Sequence, residues 1–167
     1  MKNKKNISLI GMPAVGKSTV GLSLSQSLGL SFLDSDHLIE TEEKRTLARI
    51  IADHGLPRFL SIEENHVLTI DCQDHIIATG GSVVYGKNAM AHLAEISTIV
   101  YLHVDLATLR TRLADLTARG VAIAPGKKVE DLYKERTPLY DAWCDLKIDC
   151  GTLTARQVSD KVLAHFS

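Results

Sequence analysis

The stretch richest in chemistry is Gly11-Met12-Pro13-Ala14-Val15-Gly16-Lys17-Ser18-Thr19. Two glycines flank four residues, and a lysine and a serine follow at once. It lies between the apolar run Ile7-Ser8-Leu9-Ile10, which reads as a buried strand, and a segment that reads as a helix. In that setting the glycines let the backbone wrap with its N–H groups inward. The helix N-terminus adds partial positive charge, so the loop suits a polyphosphate. Gly11, Ala14, Val15, Gly16, Lys17, Ser18 and Thr19 are therefore the candidate nucleotide contacts. Lys17 is placed to bridge the terminal phosphates, and the Ser18 hydroxyl to ligate Mg2+.

A second group is Asp34-Ser35-Asp36, which follows the short strand Ser31-Phe32-Leu33. Two carboxylates at i and i+2 past a strand end sit at the carboxyl edge of a sheet, where ligands bind in open α/β folds. One suits the water shell of Mg2+. The other suits an acceptor hydroxyl and its proton. Ser35 or Asp36 also suits capping the helix that follows. The sequence has no Asn-Lys-x-Asp guanine signature and no apolar strand ending in an Asp-Glu pair.

The elements that must position these residues alternate along the chain. Strands are expected at 6–10, 31–33, 75–78, 99–104 and 146–149. Helices are expected at 16–28, from 36 to about 68 with an interruption near Gly55-Leu56-Pro57, and at 106–116, 129–143 and 154–166. Gly29 is a natural stop for the first helix. Residues 118–128 read as a loop marked by Gly and Pro. Alternating strands and helices argue an α/β sandwich around a mostly parallel sheet. With 167 residues and no repeat, linker or low-complexity tract, a single domain over 1–167 is expected.

Composition narrows the classes. Apolar residues make up 45% and charged residues 23%, as in ordinary globular proteins. The net charge of −1 supplies no global field for nucleic acid or an anionic membrane. No apolar run is long enough to span a bilayer. The basic start Met1-Lys2-Asn3-Lys4-Lys5 lacks a signal-peptide core, so a cytoplasmic location is expected. Cys72, Cys144 and Cys150 are odd in number and far apart, which fits neither a disulfide framework nor a zinc site.

Taken in order, several strings resemble the shikimate kinase family over essentially the whole chain. They are Gly11 to Gly21, Phe32-Leu33-Asp34-Ser35-Asp36, Ile77-Ala78-Thr79-Gly80-Gly81, Arg112-Leu113, Arg119, and Glu135-Arg136-Thr137-Pro138-Leu139-Tyr140. The resemblance implies a five-stranded parallel sheet in a three-layer α/β sandwich. It adds acceptor-binding helices over about 36–70 and a lid over about 117–128. It implies transfer of the ATP γ-phosphate, with Mg2+, to a hydroxyl of a small polar acid, in aromatic amino-acid biosynthesis. Asp34 matches the magnesium-side carboxylate, and Asp36 the one that binds and activates the hydroxyl. Gly80 and Gly81 match backbone that approaches the substrate. Arg119 matches the lid arginine on the transferring phosphate, Arg136 the partner of the substrate carboxylate, and Arg112 the arginine beside adenine. Arg112 also has Asp115 within reach on its own helix.

Three departures fall on the acceptor side. The family's Phe-Arg-x-x-Glu reads Phe59-Leu60-Ser61-Ile62-Glu63, so Leu60 occupies the arginine place. Ser82 occupies the place of the third glycine, and the lid string reads Arg119-Gly120-Val121-Ala122. Leu60 and Ser82 are expected to line the acceptor pocket and to weaken shikimate binding. Arg58 is the alternative clamp. Positions i and i+2 do not share a helix face, but Pro57 suggests a helix start from which Arg58 reaches around. The expected partner is a small hydroxylated acceptor, with no nucleic acid and no membrane, and the protein is expected to be a monomer. A nucleotide-binding protein without transfer activity is the other class. Retention of Lys17, Asp34, Asp36, Arg119 and Arg136 favours the enzyme.

Overall fold

The computed structural model describes residues 6–118 and 128–166. Its strands are β1 (Asn6–Ile10), β2 (Ser31–Asp34), β3 (His75–Ala78), β4 (Ser97–His103) and β5 (Leu146–Asp149). They form one parallel sheet in the order β2-β3-β1-β4-β5. The helices are α1 (Lys17–Leu28), α2 (Ser35–Glu43), α3 (Leu47–Leu68), α4 (Lys87–Ile96), α5 (Leu106–Ala118), α6 (Val129–Trp143) and α7 (Ala155–Phe166). Parallel strands need long crossovers, and helices supply them and cover both faces. The central strand β1 is buried from end to end. Its two polar side chains are bonded: Asn6 Nδ2 donates to the carbonyls of Cys72 and Ile96, and the Ser8 and Ser97 hydroxyls lie 2.7 Å apart. Because every strand runs the same way, the segments that follow β1, β2 and β3 emerge side by side at one edge.

The main core packs Leu9, Ile10, Ile76, Ile77, Val100 and Leu102 of the sheet against the helices. A separate apolar cluster of Ile39, Ile50 and Phe59 joins α2 to α3, with Leu60 half-buried against it. Helices α2 and α3 thus share a small core of their own.

The elements differ from the sequence reading in several places. The helical span 36–68 is divided at Lys44, which ends α2 in the left-handed region (φ 54). Thr46 then caps α3 by accepting from the Arg49 N–H. The interruption near Gly55 is a kink inside α3, at φ 77 and ψ 165. β4 begins two residues earlier than expected, at Ser97. α4 was not anticipated. Helix α5 reaches Ala118, and residues 119–127 of the expected lid, with Arg119, lie outside the described residues. Among the described residues no helix is long and apolar enough to cross a membrane.

Candidate active site

The loop between β1 and α1 has the backbone its glycines foreshadow. Gly11 sits at φ 147, and a Cβ there would lie 2.5 Å from the Leu102 carbonyl oxygen. Gly16 (φ 98) precedes α1 and leaves its first N–H groups without a side-chain cap, free for an anion. Ala14 also takes a left-handed conformation, at φ 67. The Lys17 ammonium folds back onto its own loop, donating to the carbonyls of Gly11 at 2.8 Å and Met12 at 2.9 Å. Burial lowers its pKa to about 8, against the opposing pull of Asp36.

The Ser18 hydroxyl donates to Asp34 Oδ2 at 2.6 Å, so the serine and carboxylate expected around Mg2+ are already paired. Asp34 is also the N-cap of α2, its Oδ1 accepting from the Asp36 and His37 N–H groups. This corrects the expectation that Ser35 or Asp36 caps the helix. Ser35 is buried instead, and its hydroxyl accepts from the Gly80 N–H at 3.2 Å. Gly80 therefore meets the site through its Cα. A Cβ there would lie 2.5 Å from Glu63 Oε1 and 2.7 Å from Asp36 Oδ1. Burial, reinforced by the charge of Asp34, raises the Asp36 pKa to about 6.

Glu63 comes from the middle of α3 and is 2% exposed. The Ser82 hydroxyl donates to its Oε2 at 2.7 Å. Burial raises its pKa to about 7, although the Ser82 bond opposes this. Arg136, on α6, is buried. Its Nε donates to the Tyr85 hydroxyl at 3.1 Å, its guanidinium lies over the Tyr85 ring, and its Nη1 is near Gly81. The Tyr140 hydroxyl donates to the Gly81 carbonyl at 2.6 Å. Leu60 is turned to the Ile39–Ile50–Phe59 cluster, and Arg58 is exposed. Glu63, Ser35, Tyr85 and Tyr140 were not among the expected site residues. Glu63, Ser35 and Tyr140 were legible only as letters inside quoted strings, with no site role read from them, and Tyr85 lay in no string.

On the other side of the loop lies a cavity of about 200 Å³ walled by Val15, Val20, Leu153, Val158 and Arg112. Arg112 donates to the Val15 carbonyl at 3.0 Å and to the Gly151 carbonyl at 2.7 Å. The cavity adjoins the phosphate loop, and its walls combine apolar side chains with the Arg112 guanidinium and Thr19.

A buried lysine in a glycine loop at a helix N-terminus, with carboxylates across a shared sheet edge, defines a small-molecule phosphotransferase of the phosphate-loop class. Residues 13–167 match the family model described as shikimate kinase. A shikimate kinase of Thermodesulfovibrio yellowstonii is 32% identical over 165 residues, spanning 97% of this chain and 95% of that protein. The chain belongs to the shikimate kinase family, and it is an ATP-dependent kinase that acts on a hydroxyl of a small molecule. The solved Acinetobacter baumannii shikimate kinase in complex with shikimate superposes with a TM-score of 0.85 at 29% identity, covering 99% of this chain and 94% of that one. Human threonine synthase-like 1 is 35% identical over 162 residues, which is 95% of this chain but 22% of that protein.

Proposed function

We propose that this chain transfers the γ-phosphate of ATP to a ring or polyol hydroxyl, with Asp36 as the base and with weakened dependence on an acceptor carboxylate. The observation that carries the reading is the convergence of Lys17, the Ser18–Asp34 pair and Asp36 at one sheet edge. Lys17 leaves its loop carbonyls for the phosphate oxygens when the nucleotide arrives. Ser18 and Asp34 offer hard oxygen donors 2.6 Å apart beside the phosphate loop, which fits the donor preference of Mg2+. That ion, when bound, neutralises charge on the phosphates. Asp36 Oδ1 takes the proton of the acceptor hydroxyl. The freed oxygen forms a bond to the γ-phosphorus as the bond to the ADP oxygen breaks. Residues 112 and 153–158 hold the base, and Arg136 holds a polar or anionic group of the acceptor beside Gly81.

The acceptor side supports a narrower statement. The family's second cation is absent at Leu60, which faces an apolar cluster, and Arg58 is exposed. Shikimate, with its carboxylate left to Arg136, is then a poor acceptor with a raised KM. Steady-state kinetics with ATP and a panel of small hydroxylated acids and polyols tests this. Leu60→Arg is expected to improve kcat/KM for shikimate by about tenfold to a hundredfold, the worth of one charge-assisted contact. Efficient shikimate turnover by the wild type that is lost in Arg58→Ala and unchanged in Leu60→Arg would identify Arg58 as the clamp instead.

A further inference from the structure

Arg136 is 8% exposed, yet no carboxylate among the described residues forms an ion pair with it. Glu63 is near enough for the Arg136 charge to act on its carboxyl. The two are nevertheless held by different partners, and both partners come from one short turn. The 3₁₀ turn Val83–Tyr85 follows Ser82, and the Tyr85 N–H donates to the Ser82 carbonyl at 3.0 Å. Residues i and i+3 of such a turn are eclipsed, so the Ser82 and Tyr85 side chains leave it on one side. The Ser82 hydroxyl donates to Glu63 Oε2 at 2.7 Å. The Tyr85 hydroxyl accepts from Arg136 Nε at 3.1 Å, and the Tyr85 ring centre lies 5.2 Å from the guanidinium carbon. Val83 and Val84, buried in the main core, anchor the turn between them. Tyr140, one turn beyond Arg136 on α6, ties the helix to the Gly81 carbonyl at 2.6 Å. The guanidinium is thus fixed at its Nε and against one face.

A buried guanidinium without a counter-ion is costly to maintain, so a ligand that brings an anion is rewarded there. With Nε given to Tyr85, the fork left to a ligand is Nη1 with Nη2, and Nη1 lies against Gly81. We propose that Tyr85 is a positioning residue for Arg136, directing that fork at the acceptor's anionic group and so setting selectivity for anionic over neutral acceptors. This rests on the reading that Arg136 holds that group. Leu60 stands where the family has its second arginine, so the orientation of the one guanidinium decides how well a carboxylate is received. The hydroxyl and the ring do separate things. The hydroxyl fixes the rotation of the guanidinium in its plane, and the ring fixes the plane.

The test uses the full chain with ATP and two acceptors, shikimate and its neutral primary amide, each below its KM so that kcat/KM is read directly. In the wild type shikimate is expected to be preferred by about tenfold or more, the usual worth of a hydrogen-bonded charge. Tyr85→Phe keeps the ring and removes the acceptor of Nε. It should reduce the preference to less than about threefold by raising KM for shikimate, with KM for ATP unchanged. Tyr85→Leu removes the ring as well and should abolish the preference. In an Arg136→Lys background Tyr85→Phe should change the preference no further, because a lysine has no Nε–H for the hydroxyl to hold. A preference undiminished in both Tyr85 variants, an equal loss on both acceptors, or a loss that persists in the Arg136→Lys background overturns the proposal, since Tyr85 would then serve packing alone. The underlying reading fails separately: if the wild type uses neither acceptor, or if wild type and Arg136→Lys alike do not distinguish shikimate from its amide, Arg136 does not hold the anionic group and the role of Tyr85 falls with it. A preference lost in Arg136→Lys and kept in Tyr85→Phe and Tyr85→Leu leaves that reading standing and overturns the role of Tyr85.

Discussion

At the residue scale, burial tunes three ionisable groups toward neutrality in one small volume. In its proposed role as base Asp36 must be ionised, and its pKa is raised to about 6. In its proposed role at the phosphates Lys17 must be charged, and its pKa is lowered to about 8. The expected kcat/KM profile is therefore bell-shaped. It climbs as Asp36 loses its proton near pH 6 and falls as Lys17 loses its own near pH 8. Asp36→Asn should cut kcat by about two to four orders of magnitude and abolish the acid limb, while ATP binding persists. A surviving acid limb in that variant would assign it to another group. Stability moves the other way with pH. The folded protein holds the Glu63 proton more tightly than the unfolded chain does, with pKa raised from 4.5 to about 7. That contribution is complete below the unfolded value and is lost as pH rises through this window. The urea midpoint should thus fall between pH 5 and pH 8, and fall less in Glu63→Gln; equal falls would show that Glu63 is not the titrating group. The phosphate loop and Asp34–Ser35–Asp36 were legible because their chemistry is written in consecutive residues. Glu63 was not, because its burial and its missing cation depend on Leu60 and Ser82, the latter 19 residues away.

At the element scale, local signals located most strands and helices but not the elements whose ends are completed from afar. Helix α4 begins at Gly86 with no side-chain cap of its own. Its Asn88 and Ala89 N–H groups donate to Glu64 Oε1 on α3, more than twenty residues back. No reading of 82–96 alone contains that cap. The division of α2 from α3 was equally hidden, because Lys44 adopts the left-handed conformation usually left to glycine. The kink in α3 was legible, since Gly55 precedes Pro57 by two. At φ 77 and ψ 165 the backbone of Gly55 lies where side chains are essentially excluded. The nearest atom to an added Cβ is Pro57 Cδ at 3.8 Å, so crowding is not the obstacle and the dihedral is. Gly55→Ala should destabilise the fold by about 1–3 kcal/mol through backbone strain alone. ATP affinity should be unchanged, because the nucleotide loop belongs to another element. An unaltered urea midpoint would mean that the kink relaxes without cost.

At the scale of the whole molecule, the parallel sheet brings the site together from three strand ends, and one side chain then ties the chain's beginning to its end. Arg112 donates to the Val15 carbonyl in the phosphate loop and to the Gly151 carbonyl in the turn before α7, partners 97 and 39 residues away. Its planar fork satisfies the two carbonyls from separate nitrogens, Nη1 and Nη2, in a fixed geometry that a single ammonium lacks. It also forms one wall of the cavity beside the loop. Two consequences are separable. As a strut, Arg112 stabilises the folded chain by holding α5, the loop and the β5–α7 turn in register. As a wall, in the proposed role of that cavity as the base pocket, it would stabilise bound nucleotide. Arg112→Ala removes both, and Arg112→Lys should restore only part of each. The expected loss of ATP affinity is about tenfold, the worth of roughly 1.4 kcal/mol for contacts that are only partly buried. The acceptor KM at saturating ATP should stay unchanged, because neither Asp36 nor Glu63 lines the cavity that Arg112 walls. Calorimetry with a non-hydrolysable ATP analogue measures the first. Thermal unfolding with and without that analogue measures the second, since a ligand bound only to the folded state raises the midpoint in proportion to its occupancy free energy. If Arg112→Ala lowers the ligand-free midpoint but leaves both the affinity and the ligand-induced increment intact, Arg112 is a strut alone and the base pocket is made by its apolar walls.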